Sequence, residues 1–83
     1  MKKQWVVYIL RCADDTLYTG ITNDLQHRLN AHNAGNGAKY TRSRGPVTLA
    51  YHEEVPDKNH ALQRELAIKK LTRKEKLTLI TQK

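Results

Sequence analysis

Long hydrophobic runs are missing from this sequence. The most apolar stretch, Trp5 to Leu10, is stopped by Arg11 and is far too short to cross a bilayer. No small-residue cleavage site follows it, and no amphipathic stretch is long enough to anchor the chain to a membrane, so a cytoplasmic location with no membrane partner is expected. Internal disulfides are excluded because Cys12 is the only cysteine. It stands in an apolar stretch, which suits a small buried side chain in a reducing compartment better than a catalytic thiol. Repeats and linkers are absent too. A chain of 83 residues supports one small core and not two, since a domain of this size buries roughly 60% of the surface its unfolded chain exposes. A single domain over residues 1–83 is expected.

Acidic residues are also scarce. Eight Asp and Glu face fifteen Lys and Arg, for a formal net charge of +7. That balance favours polyanionic partners, whose phosphates it neutralises with release of counterions. The excess is uneven: residues 1–34 hold four basic and three acidic side chains, residues 35–83 eleven and five. Without a membrane signal, nucleic acid is the first candidate partner.

What is present reads as alternating strands and helices. Trp5 to Cys12 is rich in β-branched and aromatic residues, breaks at Ala13-Asp14-Asp15-Thr16, and the extended pattern resumes from Leu17 to Thr22. These runs predict a hairpin, and an odd-length loop puts Tyr8 and Tyr18 on one face. Asn23 as N-cap, Gln26 three residues later and the Leu25/Leu29 pair predict a helix ending near Asn33 or Ala34, with Gly35 as its stop. Arg28 and His32, four residues apart, edge its buried face. Residues 35–46, with three glycines and Lys39, Tyr40, Arg42 and Arg44, read as a mobile basic loop closed by Gly45-Pro46. Val47, Leu49 and Tyr51 alternate as the buried face of a third strand. A second helix is expected from about Asp57 or Asn59 to Leu71, and Thr72 with Glu75 forms a capping box that opens a third. The order β-β-α-β-α-α, with no parallel βαβ unit, predicts an α+β fold: a small three-stranded, mostly antiparallel sheet flanked by helices.

Singly, the chemical residues have ordinary explanations. Strand tyrosines usually pack their rings with the hydroxyl satisfied. Arg28 reads as a surface residue along the leucines, and His32 as a C-terminal charge against the helix dipole. Glu65 is the anomaly, because it falls between Leu62 on one side and Ala61 and Ile68 on the other. A carboxylate in an apolar sector either pairs with Lys69 at i+4 or holds a metal ion.

Together these residues form a pattern: Val7-Tyr8-Ile9, then Tyr18-Thr19-Gly20 ten residues on, then Arg28 and His32, then Ala61-Leu62-x-x-Glu65-x-x-Ile68-Lys69. It resembles the GIY-YIG nuclease family over nearly the whole chain, above all its short stand-alone bacterial members. The resemblance implies a nuclease acting on nucleic acid, DNA ahead of RNA, with branched or damaged forms among the candidate substrates. It implies catalytic roles for Tyr8, Tyr18, Arg28, His32 and Glu65, with Gly20 allowing close approach of backbone. Glu65 would hold one divalent cation, and a lone carboxylate suits Mg²⁺ or Mn²⁺, which keep several waters. Arg28 would clamp the phosphate, Tyr8 would take a proton from water, and His32 or Tyr18 would orient that water. Phosphate backbone would meet Lys39, Arg42, Arg44, Lys69 and Lys70, with Arg64, Arg73, Lys74 and Lys76 adding charge that does not read sequence. Val7 replaces a glycine of the family pattern and Thr19 an isoleucine. The asparagine that several branches place after the glutamate has no counterpart, since no Asn lies beyond position 59. The alternative is a non-catalytic nucleic-acid-binding or protein-interaction module on the same fold.

Overall fold

The computed structural model describes residues 4–35 and 39–82, residues 39 and 40 by their backbone alone. Seven elements follow in order: β1 (Trp5–Arg11), β2 (Leu17–Thr22), α1 (Leu25–Asn33), α2 (Lys39–Arg42), β3 (Thr48–Val55), α3 (Lys58–Lys69) and α4 (Arg73–Thr81). The strands form one sheet in the order β2-β1-β3, antiparallel at both joins. This is the α+β architecture expected from the sequence, with one added helical turn, α2.

The β1–β2 turn fixes the phase of everything that follows. Asp15 takes a left-handed backbone (φ 68°), and the Asp14 carboxylate accepts from the backbone and hydroxyl of Thr16. The resulting register pairs Tyr8 with Gly20 and Leu10 with Tyr18. Side chains alternate along each strand, so Tyr8, Leu10, Tyr18 and Gly20 share one face, and Val7, Ile9 and Thr19 the other.

Both faces of central β1 are buried, and each has its own core. Val7, Ile9, Tyr51, Ala61 and Ile68 pack together on one face, with Trp5, Val55, Leu79 and Ile80 around them. Tyr8, Leu10, Cys12 and Val47 pack on the other, with Tyr18 and α1's Leu25 and Leu29 against them. Thus α3 and α4 cover an aliphatic layer, and α1 covers the tyrosine layer.

Four local expectations need correction. The N-cap of α1 is Asp24, one residue later than Asn23. Its side chain accepts from the His27 backbone while its own N–H donates to Thr22 Oγ1. The stretch read as a mobile loop contains α2, and Thr41 within it is buried; Gly37 lies outside the described residues. Val47, Leu49 and Tyr51 do not share a face. A bulge opposite Ile9/Leu10 leaves Ala50 unpaired, because Ile9 pairs with Tyr51 and Leu10 with Leu49. One extra residue reverses the alternation, so Val47 joins the tyrosine layer and Tyr51 the aliphatic one. Finally, Leu62 is 45% exposed; the apolar sector next to Glu65 consists of Ala61 and Ile68 alone. The α4 capping box forms as expected, with Thr72 and Glu75 each bonding the other's backbone.

Candidate active site

Tyr8 stands at the centre of the tyrosine layer, 1% exposed. Its partner across the hairpin is Gly20, and the pairing is not incidental. A Cβ at position 20 would lie 2.6 Å from the Tyr8 hydroxyl oxygen and 2.7 Å from Cζ. Only a residue without a side chain lets the tyrosine lean over the outer strand β2, along which α3 packs.

The Tyr8 hydroxyl lies 3.1 Å from His32 Nε2, and His32 Nδ1 lies 2.7 Å from Thr41 Oγ1. All three side chains are almost completely buried. Tyr18 completes the cluster through an edge contact with the His32 ring, centroids 5.5 Å apart at 60°. A buried polar chain of this kind is costly unless each member finds a partner, and here each link is made. His32, expected at the edge of the buried face, lies fully inside it between β1, β2 and α2, which leaves no room for the alternative reading as a helix-end charge.

Arg28, one turn before His32, is close enough for its charge to act on the Tyr8 hydroxyl. Its Nε is buried and has no partner among the described residues. A guanidinium with one donor direction unsatisfied beside a tyrosine hydroxyl has the chemistry to receive an anionic oxygen.

Burial pushes the Tyr8 hydroxyl above its ordinary pKa. The Arg28 guanidinium acts the other way, while Tyr18 and Glu65 add to the rise. His32 is pushed below its ordinary value, by burial first and by the Arg28 charge second. At neutral pH the pair is therefore a protonated phenol and a neutral imidazole.

Glu65 approaches from α3, close enough for its charge to act on Tyr8. Its side chain keeps 20% exposure and pairs with Lys69 at 3.5 Å. Among the described residues no three His, Cys, Asp or Glu side chains cluster as a ligand set, which rules out a zinc-type cage there. One partly exposed carboxylate fits a hard divalent cation that retains water and shares substrate oxygens.

The basic residues divide sharply. Arg44 pairs with Asp14 (3.0 Å), Arg73 with Asp15 (3.2 Å), Arg64 with Glu53, and Lys69 with Glu65. Arg42 and Lys70 are exposed; Lys39 lies in α2, its side chain outside the described part. The acidic hairpin turn thus neutralises part of the basic charge counted from the sequence. The structure brings Tyr8, Tyr18, Gly20, Arg28, His32 and Glu65 into one region, and adds Thr41. The signal for Thr41 in the sequence was the position of Lys39 to Thr41, which matches the family pattern but assigns Thr41 no role. A cleft of about 470 Å³ between β3 and α4, lined by Tyr51, His52, Glu53, Glu54, Leu79 and Gln82, contains none of these residues.

Comparison with known proteins agrees in extent and kind. The GIY-YIG catalytic domain family model matches residues 4–78. A UPF0213 protein of Clostridium perfringens is 60% identical over 93% of this chain and 83% of its own length. One from Halobacterium salinarum is 52% identical over 88% and 95%. Among solved structures, the solution NMR structure of a UPF0213 protein from Bacillus halodurans is similar with a TM-score of 0.63 and 42% identity, covering 96% of this chain and 85% of that one. An E. faecalis protein solved by NMR gives the same TM-score at 37% identity, covering 98% and 90%.

Proposed function

The chain belongs to the GIY-YIG catalytic domain family, and from that premise we propose that it is a metal-dependent nuclease hydrolysing phosphodiester bonds, with DNA ahead of RNA as substrate. The observation that carries this reading is the buried Tyr8–His32 pair beside an arginine whose Nε has no partner among the described residues. A purely structural cluster gains nothing from leaving a buried guanidinium donor open. A phosphate oxygen closes it.

The pKa directions refine the tyrosine's role. A phenol raised above its ordinary value is a poor base alone at neutral pH. Tyr8 therefore works with His32. As the attacking water gives its proton to the Tyr8 oxygen, the Tyr8 proton passes to His32 Nε2. The Arg28 guanidinium meets the charge accumulating on the phosphate with fixed, already desolvated donors. Glu65 would hold Mg²⁺ or Mn²⁺, which when bound would supply Lewis-acid polarisation of the phosphate. Lys69, paired with Glu65 at 3.5 Å, and Lys39, Arg42 and Lys70 would contact the substrate backbone. Tyr18 packs the imidazole in place. The cytoplasm suits this function, as the buried thiol of Cys12 suits a reducing compartment.

The test is cleavage of linear, supercoiled and branched DNA and of RNA with Mg²⁺ or Mn²⁺, by the parent and by Glu65→Gln, Tyr8→Phe and Arg28→Ala. Each variant is expected to lose about 10²-fold or more in rate, the scale of removing one preorganised charge-stabilising group. Three variants as active as the parent would remove the site. The second reading, a non-catalytic binding module, draws on the absence of Asn beyond position 59. It is favoured if every substrate is bound, with steep salt dependence, and none is cut.

A further inference from the structure

Thr41 has no part in the chemistry described so far, yet it is one of the most deeply buried polar side chains, 1% exposed. It comes from α2, and its Oγ1 lies 2.7 Å from His32 Nδ1. A hydroxyl at this distance either donates to that nitrogen or accepts from it, and the choice sets which ring nitrogen carries the proton.

The other end of the chain decides between the two. Arg28 carries only donors and a positive charge that acts on the Tyr8 oxygen, so the oxygen turns its lone pairs toward the guanidinium. The single Tyr8 proton is then free to point at His32 Nε2, 3.1 Å away. An imidazole that accepts at Nε2 carries its proton at Nδ1, and Thr41 Oγ1 receives it. Among the described residues, the groups facing His32 are Tyr8 from β1, Tyr18 from β2, Arg28 from α1 and Thr41 from α2. None of the four brings a negative charge that would favour an imidazolium.

We propose that Thr41 is a positioning residue: by accepting from Nδ1 it holds His32 in the tautomer whose Nε2 is open to the Tyr8 proton. Its catalytic value rests on the nuclease reading above; the tautomer itself does not. Thr41 also ties the histidine to the segment carrying Lys39, Arg42 and Arg44. The backbone carbonyl of Arg44 accepts from Ala13 N–H at 2.7 Å, which fixes the far end of that segment on the β1–β2 turn. The stretch that meets the substrate backbone is thus the one that sets the proton acceptor.

The experiment is two-bond ¹H–¹⁵N correlation of ¹⁵N-histidine-labelled protein, without metal or substrate, for the parent, Thr41→Val and Thr41→Ser. The parent is expected to show His32 as a single neutral tautomer protonated at Nδ1. Thr41→Val keeps the shape but not the acceptor, and shifts His32 toward the Nε2-protonated form; Thr41→Ser restores the parent pattern. Cleavage by Thr41→Val falls about tenfold or more with a displaced pH profile, the scale of losing a group that orients an essential histidine, and Thr41→Ser recovers it. A parent spectrum showing Nε2 protonation overturns the proposal without any variant. So does a folded Thr41→Val protein with an unchanged tautomer. If no nucleic acid is cut but the tautomer shifts as described, the positioning role stands and the nuclease reading falls.

Discussion

The two faces of the sheet are built from the same strand and by opposite rules. Odd-numbered residues of β1, Val7 and Ile9, enter a layer closed by Ala61 and Ile68, where the contacts are mainly apolar, with Tyr51 and Trp5 among them. Even-numbered Tyr8 enters a layer that buries His32 and Thr41 as well, with an arginine donor left open at its side. Polar burial of this kind adds little net stability, because each hydrogen bond made replaces one to water. The aliphatic layer therefore holds the fold, and the tyrosine layer spends part of that stability on presenting a prepared group of donors and acceptors.

The hardest test of the division lies in the aliphatic layer. Ile68→Ala removes a fully buried side chain, and a loss of about 2–5 kcal/mol in urea unfolding is expected, with cleavage by the remaining folded protein preserved. A small loss would mean that the layers share the work of stability. Next in size is Gly20→Ala. The added methyl overlaps the Tyr8 hydroxyl end, so the ring must move at a cost of about 1–3 kcal/mol. Cleavage should fall further than stability explains, and the His32 ring signals should shift as the Tyr8 bond breaks. Unchanged signals would show that the tyrosine does not need to lie over β2.

The mildest effect is the pH dependence of stability, whose acid limb tests the tyrosine layer and whose alkaline limb draws on both. His32 has a folded pKa below 6.5, so on acidification the unfolded chain takes up its proton first. The stability gained from neutral His32 is complete above 6.5 and declines as pH falls from there toward the lowered folded value. Tyr8 and Tyr51 are both raised above 10.0, so the folded state keeps their protons longer, and stability declines as pH rises beyond 10. His32→Gln should flatten the limb just below pH 6.5, and Tyr8→Phe should only partly flatten the alkaline limb, because Tyr51 contributes to it from the other layer. An acid limb unaffected by His32→Gln would place the titrating group elsewhere.

Element order and sheet type were legible in the sequence, because they depend on alternation, caps and spacing, which are local; the candidate site residues came instead from the resemblance of their combined pattern to the GIY-YIG family. The shared face of Tyr8 and Tyr18 was a conditional expectation, met because Arg11 pairs with Leu17 and leaves the odd-length loop 12–16. Three features were not legible. Thr41 gains its importance from a contact with His32, nine residues away across residues with no periodic signal. The β3 bulge is created by pairing, and alternation through Val47, Leu49 and Tyr51 contains no trace of it. The neutralisation of Arg44 and Arg73 by Asp14 and Asp15 is a long-range event that a charge count treats as if every cation were free.

The bulge at Ala50 also governs how this fold tolerates changes in length. With Ile9 already opposite Tyr51 and Leu10 opposite Leu49, loss of Ala50 would leave an unbroken ladder and send every side chain of β3 to the layer it now occupies. Loss of one residue from β1 would instead exchange the two layers, turning Tyr8 toward the aliphatic helices and Ile9 toward His32. The outer strand is an expansion joint, and the central strand is the ruler against which the site is set.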